Sequence, residues 1–139
     1  MADVQFLSLE GALVRSTQNQ SDLANSVLHL FKAGFTPSPE NVLADYTAQE
    51  CDYDGYAAKT IATWGAPILA PGGGYMTFAP LQTFTFTPAT GDTNSVGGAY
   101  LVNAGGDLLD VVIFDTPKPM QGPGQTVQLI PSVTTPTGP

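Results

Sequence analysis

Short apolar runs, closed about every ten residues by Pro, Gly, Asn or Asp, leave this chain room for strands and for little helix. The 139 residues include 15 Gly and 12 Pro, so this punctuation reaches nearly every run. The plainest case is Thr83-Phe84-Thr85-Phe86-Thr87, which alternates aromatic and Thr on the two-residue period of a half-buried strand. Ala99–Asn103 and Leu108–Asp115 flank Ala104-Gly105-Gly106-Asp107 and read as a hairpin, with Leu101, Val111, Ile113 and Phe114 as its expected buried set. Tyr56–Trp64, Tyr75–Phe78 and Gln125–Ile130 are further strand-like segments. Gly65-Ala66-Pro67, Pro71-Gly72-Gly73-Gly74 and Thr90–Asn94 read as breaks and loops.

Ser26–Phe35 admits two readings. As a helix capped by Ser21, it would set Leu23, Val27, Leu30 and Phe31 on one face, with Gly34 past its end. As a strand, Val27, His29, Phe31, Ala33 and Phe35 alternate with Leu28, Leu30 and Lys32. The strand is favoured, because both alternating sets are apolar and Phe35-Thr36-Pro37 leaves as extended chain. Glu40–Gln49 holds one short helix, with Val42, Leu43 and Tyr46 spaced three to four apart. About seven strands and no strand–helix–strand repeat predict an all-β, mainly antiparallel fold. The expected form is a β-sandwich or jelly-roll-like barrel with one short helix and an extended N-terminal arm. Residues 1–24 read as the arm and its polar tether, 25–131 as the β-sandwich domain, and 132–139 as a Thr/Pro-rich tail, extended or disordered.

Charge excludes some functions. Only 12% of the residues are charged, about half the usual share, and the net charge is −8. Arg15, Lys32, Lys59 and Lys118 are scattered singly, so the basic footprint that neutralises phosphates is missing. No nucleic-acid partner is expected, and no anionic membrane surface. No apolar run approaches the ~18 residues of a membrane span, and Met1-Ala2-Asp3-Val4 does not open a signal peptide. A soluble chain made in the cytosol is the expectation. Cys51 is the only cysteine, so no intrachain disulfide forms, and a neutral thiol is expected.

Chemistry is sparse. His29 has no partner at metal or catalytic spacing, and a Cys51–His29 pair would need the fold to join two distant residues. The acidic run Glu40, Asp45, Glu50, Asp52 and Asp54 contains Asp52-Tyr53-Asp54-Gly55, which resembles the start of a Ca²⁺ loop. It lacks the third ligand position and the closing bidentate Glu, so a surface loop is expected instead. Gly72-Gly73-Gly74 and Gly122-Pro123-Gly124 lack the Lys-Ser/Thr of a phosphate loop. Trp64, Tyr75, Phe84 and Phe86 offer rings for a sugar platform, yet their strand positions favour the core. No catalytic residue, metal or cofactor is predicted, and the chain does not read as an enzyme.

The stretch from Leu30 to Ile61 contains Phe35-Thr36-Pro37-Ser38-Pro39, then Val42-Leu43-Ala44-Asp45-Tyr46-Thr47, then Gly55-Tyr56-Ala57. With Trp64-Gly65-Ala66-Pro67 and Phe114-Asp115-Thr116-Pro117-Lys118-Pro119-Met120, it resembles a group of small tailed-phage proteins encoded among virion structural genes. The likeness covers most of residues 27–131 and rests on structural punctuation. It carries no catalytic residue across, and it implies a virion part. Small size, sparse chemistry and the N-terminal arm narrow the expectation to a capsid decoration (cement) protein on the head. Its partners would be the major capsid protein and further copies of itself, a trimer being favoured. The alternative is a tail or fibre-associated adhesion module that binds a host glycan. Val4, Phe6, Leu7, Leu9, Leu13 and Val14 are the expected partner contacts, since Ser16–Ser21 separates them from the body by a polar link.

Overall fold

Strand β2 (Ser26–Lys32) is apolar on both sides because the sheet it belongs to is buried on both faces. Leu28 and Leu30 point into one core, and Phe31, on the opposite side, points into a second. This double burial explains why the segment lacks a clean polar face. The chain is described here from a computed structural model at residues 4–6, 23–66, 68–69 and 75–135.

Five strands make the main sheet, in the order β1-β8-β7-β2-β3 and wholly antiparallel. They are β1 (Val4–Phe6), β2, β3 (Lys59–Ile61), β7 (Asn94–Val102) and β8 (Leu108–Met120). The hairpin β7–β8 is its centre, closed by Asn103, whose side-chain oxygen accepts the Asp107 N–H at 2.8 Å. Leu101, Val111 and Phe114 are buried as expected, whereas Ile113 is only partly buried. Strand β8 runs five residues past the expected end at Asp115, through Pro117 and Pro119. The β7–β8 register shifts between Val96 and Gly98, so residues around Asp115 bulge out of the ladder, a setting in which proline is tolerated.

The remaining strands are β4 (Ile68–Leu69), β5 (Tyr75–Phe78), β6 (Gln82–Thr85), β9 (Thr126–Leu129) and β10 (Ser132–Thr135). Pairing gives β10-β5-β4 and β6-β9 as two small sheets. They are two halves of one antiparallel ribbon. Phe78 faces Ser132 and Gln82 faces Leu129, so the register steps by one residue where Pro80-Leu81 passes Ile130-Pro131. The Ala79 N–H still donates to the Pro131 carbonyl at 2.8 Å, which holds the ribbon together at this kink. The Thr/Pro-rich tail, expected to be extended or disordered, is thus a paired strand over Ser132–Thr135.

The ribbon and the main sheet share one hydrophobic cluster. Leu28, Leu30, Leu101 and Phe114 from the sheet meet Phe84, Val127 and Val133 from the ribbon. On the other side of the sheet, Phe31, Tyr100 and Val111 are covered by the helix α1 (Leu43–Thr47) through Tyr46 and Leu43. The helix starts where the Asp45 carboxylate accepts the Val42 N–H at 2.9 Å. Gly98 makes this second core possible. A Cβ there would stand 2.5 Å from Phe31 Cζ and closer still to the Val112 carbonyl oxygen. Among the described residues the fold is therefore mostly antiparallel sheet with one short helix, an all-β class.

Two expectations change in extent. Tyr56–Trp64 is strand only over Lys59–Ile61, because the Tyr56 N–H closes a turn on the Tyr53 carbonyl at 2.9 Å. The arm is not wholly separate from the body. Val4–Phe6 forms the edge strand of the protein's own sheet, in register with Ile113, Val112 and Val111 of β8. Leu7, Leu9, Leu13 and Val14 lie outside the described residues.

Candidate functional site

The acidic run is the densest polar chemistry in the sequence, and the structure spends it on fastening loops. Asp54 is buried, and its carboxylate accepts the N–H groups of Ala89, Thr90 and Gly91 at 2.8–2.9 Å and the Thr90 hydroxyl at 2.8 Å. The Asp92 N–H adds a longer bond at 3.3 Å. Donation from the amides of Ala89 and Gly91 outweighs burial and holds this carboxyl well below the usual range. Gly55 follows with φ 84°, and a Cβ there would meet Thr87 Cβ at 2.8 Å, so the loop can close only over glycine. Asp52 is fastened similarly: Asn94 donates to it at 3.0 Å and Lys32 at 3.4 Å. The resemblance of Asp52–Gly55 to a Ca²⁺ loop ends here, because the Asp54 oxygens already face amide donors. Among the described residues no three His, Cys, Asp or Glu side chains converge.

His29 gains a partner that its sequence neighbourhood does not show. Its Nδ1 lies 2.7 Å from Glu50 Oε2, and the ring stacks on Tyr100 at 4.7 Å. A carboxylate only accepts, so Nδ1 carries the proton in this contact. The Tyr56 hydroxyl donates to the same Glu50 oxygen at 2.6 Å and accepts the Leu30 N–H at 3.1 Å. Burial raises the Glu50 carboxyl, but bonds from His29 and Tyr56 outweigh it and leave it below its ordinary value. Such a pair orients an imidazole, as acid–base catalysis requires. Cys51 is next in sequence to Glu50, yet its side chain belongs to the main core, and burial pushes its thiol up to about 12. The cluster joins β2 to the segment after α1, which Phe31 and Glu50 also bridge by backbone.

The outward features are apolar. Ile68, Phe78, Leu81 and Ile130 are 41–58% exposed. Phe78, Leu81 and Ile130 cluster in sequence around the ribbon kink, and Ile68 pairs with Met76 on the neighbouring strand. Strand alternation puts Phe78 on the side opposite Thr77 and Ala79, both buried. The aromatic residues considered as a sugar platform lie elsewhere: Phe84 and Phe86 are buried, and Trp64 packs against the main core. The Tyr75 side chain lies outside the described residues. Of the expected partner contacts, Val4 and Phe6 are brought to the β8 edge. The exposed kink residues were not singled out by sequence reasoning. Their signal is the pair Pro80-Leu81 and Ile130-Pro131, a proline on each strand where the register steps.

No protein-family model, curated protein or solved structure matches the chain.

Proposed function

We propose that this protein is a virion structural component of a tailed phage, a capsid decoration protein that oligomerises on the head surface, with a trimer as the favoured order. One observation carries the reading. The polar side chains that offer chemistry are tied to the fold's own loops, while the apolar side chains at the ribbon kink are exposed, Phe78 on its strand and Leu81 and Ile130 in the step between strands. Exposed apolar clusters on a rigid frame are the mark of a contact surface. Low charge and the family resemblance support the same assignment. The adhesion alternative asks for rings open to solvent, and among the described side chains Phe78 is the only aromatic in the exposed class.

The test is Phe78→Asp combined with Leu81→Asp. Both side chains are exposed, so the variant should fold with a near-native melting temperature. Incubated with particles lacking the native protein, it should bind at least about tenfold more weakly, as expected when central apolar contacts become buried charges. Native binding by the folded variant overturns the reading.

A further inference from the structure

The ribbon covers a cavity as well as a core. Beneath Gln128–Ser132 lies a space of about 280 Å³ between the ribbon and the main sheet. Leu28, Leu101, Val112 and Phe114 line its floor on the sheet side, and Leu129 and Pro131 line the ribbon side. The floor spans three strands that are paired across it, Leu28 with Leu101 and Ala99 with Val112. Its polar members already have partners. Asp110 accepts the Val111 N–H at 2.9 Å and has a further interaction, and Ser132 is engaged as well. Neither depends on a ligand for a partner. Gln128 and Ile130 are the exposed residues of the lining and mark the opening.

We propose that this cavity is a binding site for a small uncharged molecule with an aliphatic chain, a medium-chain alcohol being the simplest example. A wall of this kind favours methylene groups over water, because water needs polar partners there and methylenes do not. An apolar cavity of about 150 Å³ holds a benzene molecule, so the space here accommodates a chain of about eight carbons. The chain packs between the leucines and Phe114 of the floor and Leu129 above, and the hydroxyl stays in water at the opening beside Gln128. Charge is selected against. The one acid in the wall is engaged, so a charged head drawn to the opening gives up water without finding a free counter-ion. The affinity follows from the lining and does not rest on the decoration-protein reading.

The experiment is a titration of the full chain followed by amide ¹H–¹⁵N spectra, in about 0.15 M salt to screen the net charge of −8. The probes are n-octanol, n-hexanol, octanoate and octylammonium. Octanol should shift the amides of Leu101, Val112 and Leu129 saturably. Hexanol should bind about tenfold more weakly, because two methylenes leave the wall. Octanoate and octylammonium should each bind at least about threefold more weakly than octanol. Ala99 lines the floor and is buried, so Ala99→Leu should fill the space and weaken octanol at least about tenfold. Unmoved cavity amides, or shifts confined to the exposed Phe78 and Leu81, overturn the site. Hexanol or a charged probe binding as tightly as octanol overturns the ligand class, and neither result needs a variant to fold. Unchanged octanol binding by a folded Ala99→Leu chain overturns the site as well. The titration uses no particle, so its failure is separate from failure of the Phe78/Leu81 test.

Discussion

Phe31→Ala removes the centre of the core beneath α1. The side chain is fully buried. Its ring meets Phe35 edge-on at 5.7 Å and Tyr46 at 6.1 Å. Truncating a buried phenylalanine costs about 3–5 kcal/mol, and the two ring contacts place this site toward the upper half of that range. For a domain of this size each kcal/mol lowers the melting temperature by roughly 3–5 °C, so a drop of about 12–25 °C is expected. In urea, the midpoint should fall with an unchanged slope, which marks lost stability rather than an altered unfolded state. Gly98→Ala sharpens the test. Its Cβ would collide with the Phe31 ring and, more closely, with the Val112 carbonyl oxygen. Phe31→Ala can relieve the first collision but not the second. Gly98→Ala should thus remain destabilising in the Phe31→Ala background, with a coupling of about 1 kcal/mol between the two. A loss below about 1.5 kcal/mol for Phe31→Ala would refute the second core as described, and full rescue of Gly98→Ala would refute the close approach to β8.

Three other outcomes follow from the same structure. The Asp54 carboxyl is depressed in the folded state, so its stabilisation is complete above the unfolded value near about 3.9 and is lost as pH falls through the folded value. The melting-temperature gap between wild type and Asp54→Asn should be widest near neutral pH and should narrow below about pH 4; a gap that is constant with pH contradicts the loop lock. Cys51 should resist a thiol-reactive dye in the native protein and react at once in denaturant, because burial keeps it protonated; fast native labelling would place it at the surface. Deleting Met1–Gln20 removes the Val4–Phe6 strand and uncovers the β8 edge at Val111–Ile113, while the described members of both hydrophobic clusters remain, so the body should fold while oligomerisation or particle binding falls. Unfolding of the truncated chain would make the Val4–Phe6 strand indispensable to the body and contradict this expectation.

Local pattern carried the strands and little else. Thr83–Thr87, Tyr75–Phe78 and the Gly105-Gly106 hairpin were legible because alternation and turn chemistry are nearest-neighbour effects. Ser26–Lys32 was legible as strand only through its doubly apolar pattern, which the second core explains. The extent of β8 was hidden, since Pro117 and Pro119 argue against a strand; Pro117 falls in the bulge, whereas Pro119 is back in the ladder opposite Ser95. Tyr56–Trp64 looked like one strand, but the Tyr56 hydroxyl is held by Glu50, six residues away, and by the Leu30 amide, 26 residues away. The same remoteness concealed the pairing of His29 with Glu50, 21 residues away, and of Asp54 with Ala89–Gly91, at least 35 away. The kink surface escaped notice because exposure of Phe78 and Leu81 depends on the one-residue register step between two strands that are far apart in the chain.

Electron cryomicroscopy of intact particles, with the five-stranded sheet and its kinked ribbon fitted into the map, tests most directly whether this protein belongs to the phage head, as proposed. The reading predicts density for this chain at symmetry-repeated positions on the outside of the head, with the Phe78 and Leu81 side against a neighbouring subunit. A head fully accounted for without this chain would contradict it.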